Sequence, residues 1–127
     1  MVNGSRKDNL SAVLEIRKHE IISDLAEKLG GKDEGPDPHE ILEAALAACT
    51  VITVQMYAQR KQWGLESTDV LVRIDSEGKE GNRITRDVKF VGDLTDDQRS
   101  RLLEIANKCP IHNFLTTKTE IETRLSL

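Results

Sequence analysis

The sequence has few aromatic residues: one Trp, one Tyr and two Phe among 127 residues, or 3%. A core with so few large rings must be built from Leu, Ile, Val and Ala, and part of its burial is expected to come from a partner subunit. A chain of this length is typical of one domain, so we expect residues 1–127 to form a single domain. Such a domain buries about two-thirds of the surface that its unfolded chain exposes.

The sequence also lacks an excess of basic residues, since its formal net charge is -4 and its pI is about 5.4. Lys and Arg are dispersed, which excludes the basic patches typical of nucleic-acid-binding and membrane-surface proteins. No apolar stretch is predicted to span a membrane, and the polar first ten residues lack the apolar segment of a signal peptide. We therefore expect a cytoplasmic protein with no nucleic-acid or membrane partner.

Cysteine is scarce too, with only Cys49 and Cys109 in the chain. In a reducing compartment, two cysteines are not expected to form a structural disulfide. They are expected instead to be buried thiols, catalytic thiols or metal ligands.

Alternation of apolar and polar residues predicts several strands. Two short strands are predicted within Asn9–Asp24, joined by a basic turn at Lys18 and His19. A hairpin is predicted around the polar turn 76–82. The hairpin strands are predicted at Ser67–Asp75 and Ile84–Val91. A last strand is predicted at Glu120–Leu127.

A long helix is predicted after residues 29–38, a loop with three Gly and two Pro. Asp37 is suited to the N-cap and Pro38 to the first helical position, and Gly64 predicts an end near Trp63. The apolar stripe predicted for this helix comprises Leu42, Ala45, Leu46, Cys49, Ile52, Thr53 and Met56.

A second helix is predicted from Thr95, with Gln98 completing a capping box, to about Lys108. Its predicted apolar stripe comprises Leu102, Leu103, Ile105 and Ala106. The element order predicts an α+β protein in which an antiparallel sheet covers helices.

Residue patterns alone favour different interpretations of the two cysteines. Cys49 lies on the apolar stripe of the long helix, where a thiol is usually an inert core residue. His39 and Glu40 are about 15 Å and 13 Å from it along the helix axis, at roughly 1.5 Å per residue, so a basic neighbour must come from elsewhere.

Cys109 precedes Pro110 and is therefore predicted at a helix N-cap, where free amide hydrogens stabilise a thiolate. The alternative is a cysteine that only fills space where a helix ends. The spacing from Cys109 to His112 also permits a zinc site with Cys49 and His39 as further ligands.

Two segments resemble motifs of one family. The segment GKDEGPDPHEILEAALAACTVITVQMY, Gly31–Tyr57, resembles a Gly-rich loop, G-P-x-P, an acidic residue, an Ala-rich helix and a cysteine followed by a small polar residue. The segment CPIHNFL, Cys109–Leu115, resembles a second motif, C-P-[VI]-H-x-x-L. Both motifs are those of the OsmC/Ohr family of osmotically inducible and organic hydroperoxide resistance proteins.

The resemblance implies an intertwined homodimer of OsmC-like fold, in which antiparallel sheets wrap two long central helices and the active site lies at the subunit interface. It also implies a cysteine-based peroxidase that reduces organic or hydrogen peroxides without a cofactor. By this resemblance Cys49 attacks the peroxide and becomes a sulfenic acid, and Cys109 condenses with it to an intramolecular disulfide. A thiol reductant, such as a dihydrolipoyl protein, would restore the dithiol.

The chain departs from the family pattern beside the first cysteine. The hydroperoxide-resistance branch uses an N-terminal Arg held by a Glu directly after the Pro that opens the helix. Here His39 follows Pro38 and the acid is Glu40, a shift that turns a helical side chain by about 100°. Arg17 is the predicted activating residue and His19 the second choice.

Three histidines are predicted to bind the substrate: His39, His19 and His112. If the activating pair is lost, the alternative is an OsmC-like protein that binds a small apolar ligand without peroxidase turnover.

Overall fold

The structure is a computed structural model that describes residues 1–126, and the chain divides into two compact units. The first, Met1–Ala44, contains a three-stranded antiparallel sheet. Its strands, in the order in which they pair, are β1 (Asn3–Arg6), β2 (Ala12–Ile16) and β3 (His19–Ser23).

The two predicted strands within Asn9–Asp24 are confirmed, but the predicted position of their turn is wrong by one residue. The turn consists of residues 17–18, and His19 already pairs with Ile16 as the first residue of β3. Arg17 takes the left-handed conformation, with φ 55°, that lets the chain reverse here. Strand β1 was not predicted, because its sequence NGSR has no apolar alternation.

The loop between β3 and the long helix is held by one carboxylate. Asp24 accepts hydrogen bonds from the backbone amides of Leu25 at 2.7 Å, and of Lys32 and Glu34 at 3.2 Å each. Burial alone would raise the pKa of Asp24, but the amides of Glu34, Leu25 and Lys32 outweigh it and hold that pKa below its usual range. Two glycines let the loop approach other backbone closely, because a Cβ at Gly31 or Gly35 would lie 1.9 or 2.0 Å from a carbonyl oxygen.

The long helix α1 spans Pro38–Lys61. Its start is the predicted one: the Glu40 amide donates to the Asp37 carboxylate at 2.8 Å and the Asp37 amide donates to the Glu40 carboxylate at 3.0 Å, which is a reciprocal cap. It ends at Lys61, two residues before the predicted Trp63, because Gln62 takes a positive φ of 58°.

The buried side of α1 differs from the predicted stripe. Its buried residues recur every fourth position, at Leu46, Thr50, Val54 and Ala58. Three members of the predicted stripe are instead exposed in this chain: Leu42 (41%), Ile52 (58%) and Met56 (54%).

By length and composition alone, α1 could also cross a membrane, since an 18-residue window has a mean hydropathy of 1.6. The prediction that no stretch passes this test is wrong, because Thr50, Thr53 and Gln55 interrupt the apolar run without lowering its average enough. A core helix of a soluble protein passes the same test, and four α1 residues are buried in the protein. The helix is therefore weak evidence for a membrane span.

The second unit, which begins at Ala45, contains the predicted hairpin of β4 (Gly64–Ser76) and β5 (Arg83–Asp93). A bulge at Glu66 breaks the register between Leu65 and Ser67. The extra residue moves the inward face from odd to even positions, so Leu65 and Thr68 are both buried and Val70, Val72 and Ile74 continue that face.

Two helices follow the hairpin: α2 (Asp96–Ala106) and α3 (Pro110–Leu115). The predicted capping box of Thr95 and Gln98 is confirmed at the start of α2. Of the predicted α2 stripe, Leu103 is exposed. The core of this unit is made by Val54, Ala58, Leu65, Leu102, Ile105 and Ala106, against which Tyr57, Trp63, Phe90 and Leu94 pack.

The predicted last strand is wrong for residues 120–126, which form neither helix nor strand, and Leu127 lies outside the described residues. Apolar and polar residues do alternate in this segment, but its apolar side chains Ile121 and Leu125 are 83% and 91% exposed. A strand needs a neighbour to satisfy its backbone hydrogen bonds, and no other strand within residues 1–126 pairs with this segment.

Candidate active site

Cys109 is the N-cap of α3, as predicted. Its backbone is extended (φ -63°, ψ 145°), Pro110 occupies the first helical turn, and the Cys109 Sγ accepts the His112 amide hydrogen over 3.3 Å. The side chain is fully buried, with 0% of the residue exposed. The sulfur therefore takes the place that a Ser or Asp oxygen occupies in an ordinary N-cap.

Cys49, on α1, contacts the same helix end. Its Sγ accepts the Ile111 amide hydrogen over 3.5 Å and lies 3.8 Å from the Thr53 hydroxyl. Two successive amides in the first turn of α3 thus bind the two sulfurs, one each. Cys49 is only partly buried, so it is not the enclosed core thiol that its stripe position favours.

Thr50 links the two cysteines. It follows Cys49 on α1, is fully buried, and its Oγ1 lies 4.0 Å from the Cys109 Sγ. Its hydroxyl donates to the Leu46 carbonyl over 2.7 Å, which leaves lone pairs on Oγ1 for other donors. The sequence held a signal for this residue, namely the small polar position that directly follows the first motif cysteine.

Arg86 is a second site residue that was not predicted from the sequence. Its Nη1 donates to Thr50 Oγ1 over 3.0 Å and lies 3.9 Å from the Cys109 Sγ. Its Nη2 donates to Asn107 Oδ1 over 2.9 Å and to His112 Nδ1 over 3.0 Å. One guanidinium therefore joins α1, the segment between α2 and α3, and α3 itself.

The strand pattern explains why Arg86 points toward these helices. Ile84, Val88 and Phe90 are partly buried, whereas Asp87 and Lys89 are exposed, so even positions of β5 face inward. Arg86 lies on that inward face, opposite Val72 of β4. A charged residue on the apolar face of an alternating strand is a signal that the sequence carries.

His112 is held by Arg86. A guanidinium can only donate, so the Nδ1 of His112 is the acceptor and the neutral ring carries its proton on Nε2. Burial, and then the positive charge of Arg86, lower the pKa of His112 below its usual value of 6.5. The ring is therefore neutral at neutral pH.

The other predicted site residues lie in the first unit. Arg17 is on the exposed turn between β2 and β3, His19 begins β3, and His39 is on the exposed first turn of α1. Glu40 is engaged in the cap of that helix. Their roles toward Cys49 stay predictions.

The zinc alternative gains no support from the geometry. Among the described residues, no group of three or more His, Cys, Asp or Glu side chains could hold a metal ion. The Nδ1 of His112 also already accepts a hydrogen bond from Arg86.

Comparison with known proteins identifies the fold. The chain is similar to an OsmC-like protein from Mycoplasma pneumoniae, with 19% identity and a TM-score of 0.74 over 91% of this chain and 85% of that chain. It is similar to an organic hydroperoxide resistance protein OsmC from Legionella pneumophila, with 19% identity and a TM-score of 0.68 over 91% and 88%. An OsmC-like protein of unknown function from Vibrio cholerae gives 20% identity and a TM-score of 0.68 over 93% and 92%.

At these identities the structural likeness shows the fold alone, which is the predicted α+β fold with antiparallel sheets and a long central helix. No curated protein sequence is significantly similar to the chain. The family model of the OsmC-like protein, however, matches residues 31–124, which is more than half of the sequence and contains both cysteine motifs. The chain therefore belongs to the OsmC-like family.

Proposed function

We propose that this protein is a cysteine-based peroxidase that reduces organic or hydrogen peroxides, with Cys49 as the attacking thiol and Cys109 as the resolving thiol. The observation that carries the proposal is the shared contact of both sulfurs with the first turn of α3. The structure has both cysteines as free thiols, the form from which such a cycle starts.

Burial supports this assignment of roles. Cys49 is partly exposed and Cys109 is fully buried, so an external peroxide has a shorter route to Cys49. The amide of Ile111 and the hydroxyl of Thr53 also give the Cys49 sulfur hydrogen-bond donors that can stabilise the thiolate form.

The reaction follows from ordinary thiol chemistry. The Cys49 thiolate attacks one peroxide oxygen, an S–O bond forms, the O–O bond breaks, and the alcohol or water leaves with a proton. Cys49 is now a sulfenic acid. The Cys109 sulfur then attacks the Cys49 sulfur, the S–O bond breaks, water leaves and a disulfide forms. A dithiol reductant, for example a dihydrolipoyl protein, returns both cysteines to thiols.

We also propose that the protein acts as a homodimer in the cytoplasm. Ile52 and Met56 are 58% and 54% exposed on α1, a large apolar exposure that a second subunit would cover. A reducing compartment keeps cysteines as thiols, which the proposed cycle requires between turnovers.

The test uses reduced protein, cumene hydroperoxide and a count of free thiols. The wild type is expected to consume peroxide and lose two thiols per chain. Cys109→Ser is expected to lose one thiol and to form a dimedone adduct at Cys49. Cys49→Ser is expected to show no peroxide consumption above the buffer rate, and consumption at the wild-type rate would refute the assignment.

A second candidate is a protein that binds a small apolar ligand without turnover. The observation in its favour is that the Glu40 carboxylate caps α1, where it accepts the Asp37 amide hydrogen. That bond engages one of the two carboxylate oxygens and fixes the side chain at the helix start, which restricts how it can orient an activating Arg. Wild-type protein that keeps both thiols in excess cumene hydroperoxide would favour this candidate.

A further inference from the structure

Arg86 is a partly buried cation whose hydrogen-bond acceptors are all neutral: Thr50 Oγ1, Asn107 Oδ1 and His112 Nδ1. No carboxylate is among these three acceptors. A charge away from bulk water is costly unless an opposite charge or several hydrogen bonds compensate it.

One atom in contact with this guanidinium can become negative by losing a proton. It is the Cys109 Sγ, 3.9 Å from Nη1. The His112 ring also contacts Arg86, but protonation would make that ring positive. A thiolate at Cys109 would therefore give Arg86 an anionic partner beside its three neutral acceptors.

The two sulfurs differ in this respect. Each accepts one amide hydrogen from the first turn of α3, from Ile111 for Cys49 and from His112 for Cys109. In the described part of the second unit, only Cys109 has a cation as a further donor, whereas the further partner of Cys49 is the neutral Thr53. Arg86 thus stabilises negative charge on the Cys109 sulfur and not on that of Cys49, since hydrogen bonds from ionised donors are about twice as strong as neutral ones.

We propose that Arg86 makes Cys109 the leaving thiolate when the Cys49–Cys109 disulfide is reduced, so that the incoming thiol attacks Cys49. This inference rests on the proposed function only in taking that disulfide as an intermediate. The role is a catalytic one, because Arg86 contacts the sulfur that receives the electron pair.

The reductive step balances with a dithiol as reductant. Its first thiolate attacks the Cys49 sulfur, a mixed disulfide forms, and the bond between Cys49 and Cys109 breaks with its electron pair on the Cys109 sulfur. Its second thiolate attacks the mixed disulfide, forms the reductant's own disulfide and releases the Cys49 thiolate. The two protons that the reductant gives up return to the two cysteines.

Access and charge point to the same direction of attack. The Cys109 sulfur is fully buried and Cys49 is partly exposed, so an incoming thiol reaches Cys49 more easily. Leaving-group stability then sets the rate, because a thiol that is more stable as the thiolate leaves faster from a disulfide. Only the charge contribution depends on Arg86.

The experiment compares the wild type with Arg86→Met, Arg86→Lys and the control Arg73→Met, whose arginine pairs with Asp87 on the exposed face of the hairpin. Diamide forms the disulfide, dithiothreitol reduces it, and the free thiols are counted after an acid quench. Arg86→Met is expected to be reduced roughly tenfold more slowly. Arg86→Lys is expected to recover most of that rate, and Arg73→Met to match the wild type.

A second measurement separates charge from disturbed structure. Two proteins are compared, Cys109→Ser and the double variant that also carries Arg86→Met. Iodoacetamide is expected to alkylate Cys49 at the same rate in both, because the sulfur that Arg86 contacts is that of Cys109. A changed Cys49 rate would mean that the substitution disturbs the whole site, and would overturn the inference.

Failure of this inference is distinguishable from failure of the proposed function. Diamide needs no peroxide, so the Arg86 comparison stands even if cumene hydroperoxide is not consumed. If peroxide is consumed and the disulfide of Arg86→Met is reduced at the wild-type rate, only the role of Arg86 is overturned. The inference is also wrong if diamide does not join the two cysteines. It is wrong as well if glutathione, added to the wild-type disulfide, is found in a mixed disulfide with Cys109.

Discussion

Asp24 in the first unit and Arg86 in the second are both charged side chains enclosed by hydrogen bonds, but their partners differ. The Asp24 carboxylate is bound by three backbone amides, the most distant only ten residues along the chain. The Arg86 guanidinium is bound by side chains from three separate elements, between 21 and 36 residues away.

The difference separates a structural charge from a chemical one. Backbone amides cannot change their charge, so the partners of Asp24 do no more than hold one loop in place. The contacts of Arg86 include a thiol and an imidazole, two side chains that can change their charge in a reaction. We therefore expect changes around Asp24 to alter stability and changes around Arg86 to alter thiol chemistry.

The largest expected effect on stability is that of Gly31→Ala. The new Cβ would lie 1.9 Å from the Leu25 carbonyl oxygen, so the Asp24 loop must move and its hydrogen bonds must break. We expect a loss of at least about 3 kcal/mol in the free energy of unfolding, measured by urea titration. Gly78→Ala is the matched control, because the nearest atom to its Cβ is 4.0 Å away. Equal losses in the two variants would contradict the close approach.

A smaller effect is expected from Asp24→Asn, which removes a charge and keeps the shape. The pKa of Asp24 is held below its ordinary 3.8, so at lower pH the unfolded chain binds more protons than the folded one. This stability is present above about pH 4 and is lost as the pH falls through the lowered pKa. The wild type should therefore lose more stability in acid than Asp24→Asn. Peroxide turnover should be unchanged, and a changed turnover would break the distinction between the two charges.

A weaker pH effect is expected around Arg86. The pKa of His112 lies below 6.5, so the unfolded chain takes up the His112 proton first as the pH falls. Stability should therefore be complete above about pH 6.5 and decrease below it. Arg86 is the charged group that contacts this ring, and the Cys109 sulfur contacts the backbone amide of the same residue. The urea midpoint of His112→Gln should depend less on pH over this range than that of the control His19→Gln.

The smallest expected effect concerns a buried polar group that, unlike Asp24 and Arg86, has no hydrogen-bond partner within residues 1–126. The Thr68 hydroxyl on β4 is buried and, among the described residues, has no hydrogen-bond partner. Thr68→Val keeps the shape and removes the unpaired hydroxyl, so we expect a gain of about 1 kcal/mol in the free energy of unfolding. Thr68→Ala, which leaves a small cavity instead, should not be stabilising. A destabilised Thr68→Val would show that the hydroxyl has a partner in solution.

Much of the fold was predictable because the signals for it are local. The caps at Asp37 and Thr95, the hairpin turn and the N-cap position of Cys109 depend on residues at most a few positions apart. Local hydrogen bonds and turn conformations decide these features, so a short sequence pattern predicts them.

The features that were predicted wrongly or missed depend on distant parts of the chain. The strand predicted at residues 120–126 has the alternation but no pairing partner among the described strands. The buried row of α1 follows Thr50 and Val54 rather than the most apolar residues, because the core decides which side is covered. The amide that binds Cys49 comes from Ile111, 62 residues away. Thr50 and Arg86 did have local signals, the small polar position after the first motif cysteine and the inward face of β5.

The paired contacts of Ile111 and His112 have one more consequence. Their backbone amides are successive in the chain, and each donates to a different sulfur. The chemical shift of an amide proton depends on the charge of its acceptor, so these two resonances form a built-in readout of the redox state. Titration of ¹⁵N-labelled protein with an oxidant would follow Cys49 through the Ile111 signal and Cys109 through the His112 signal, without any added dye.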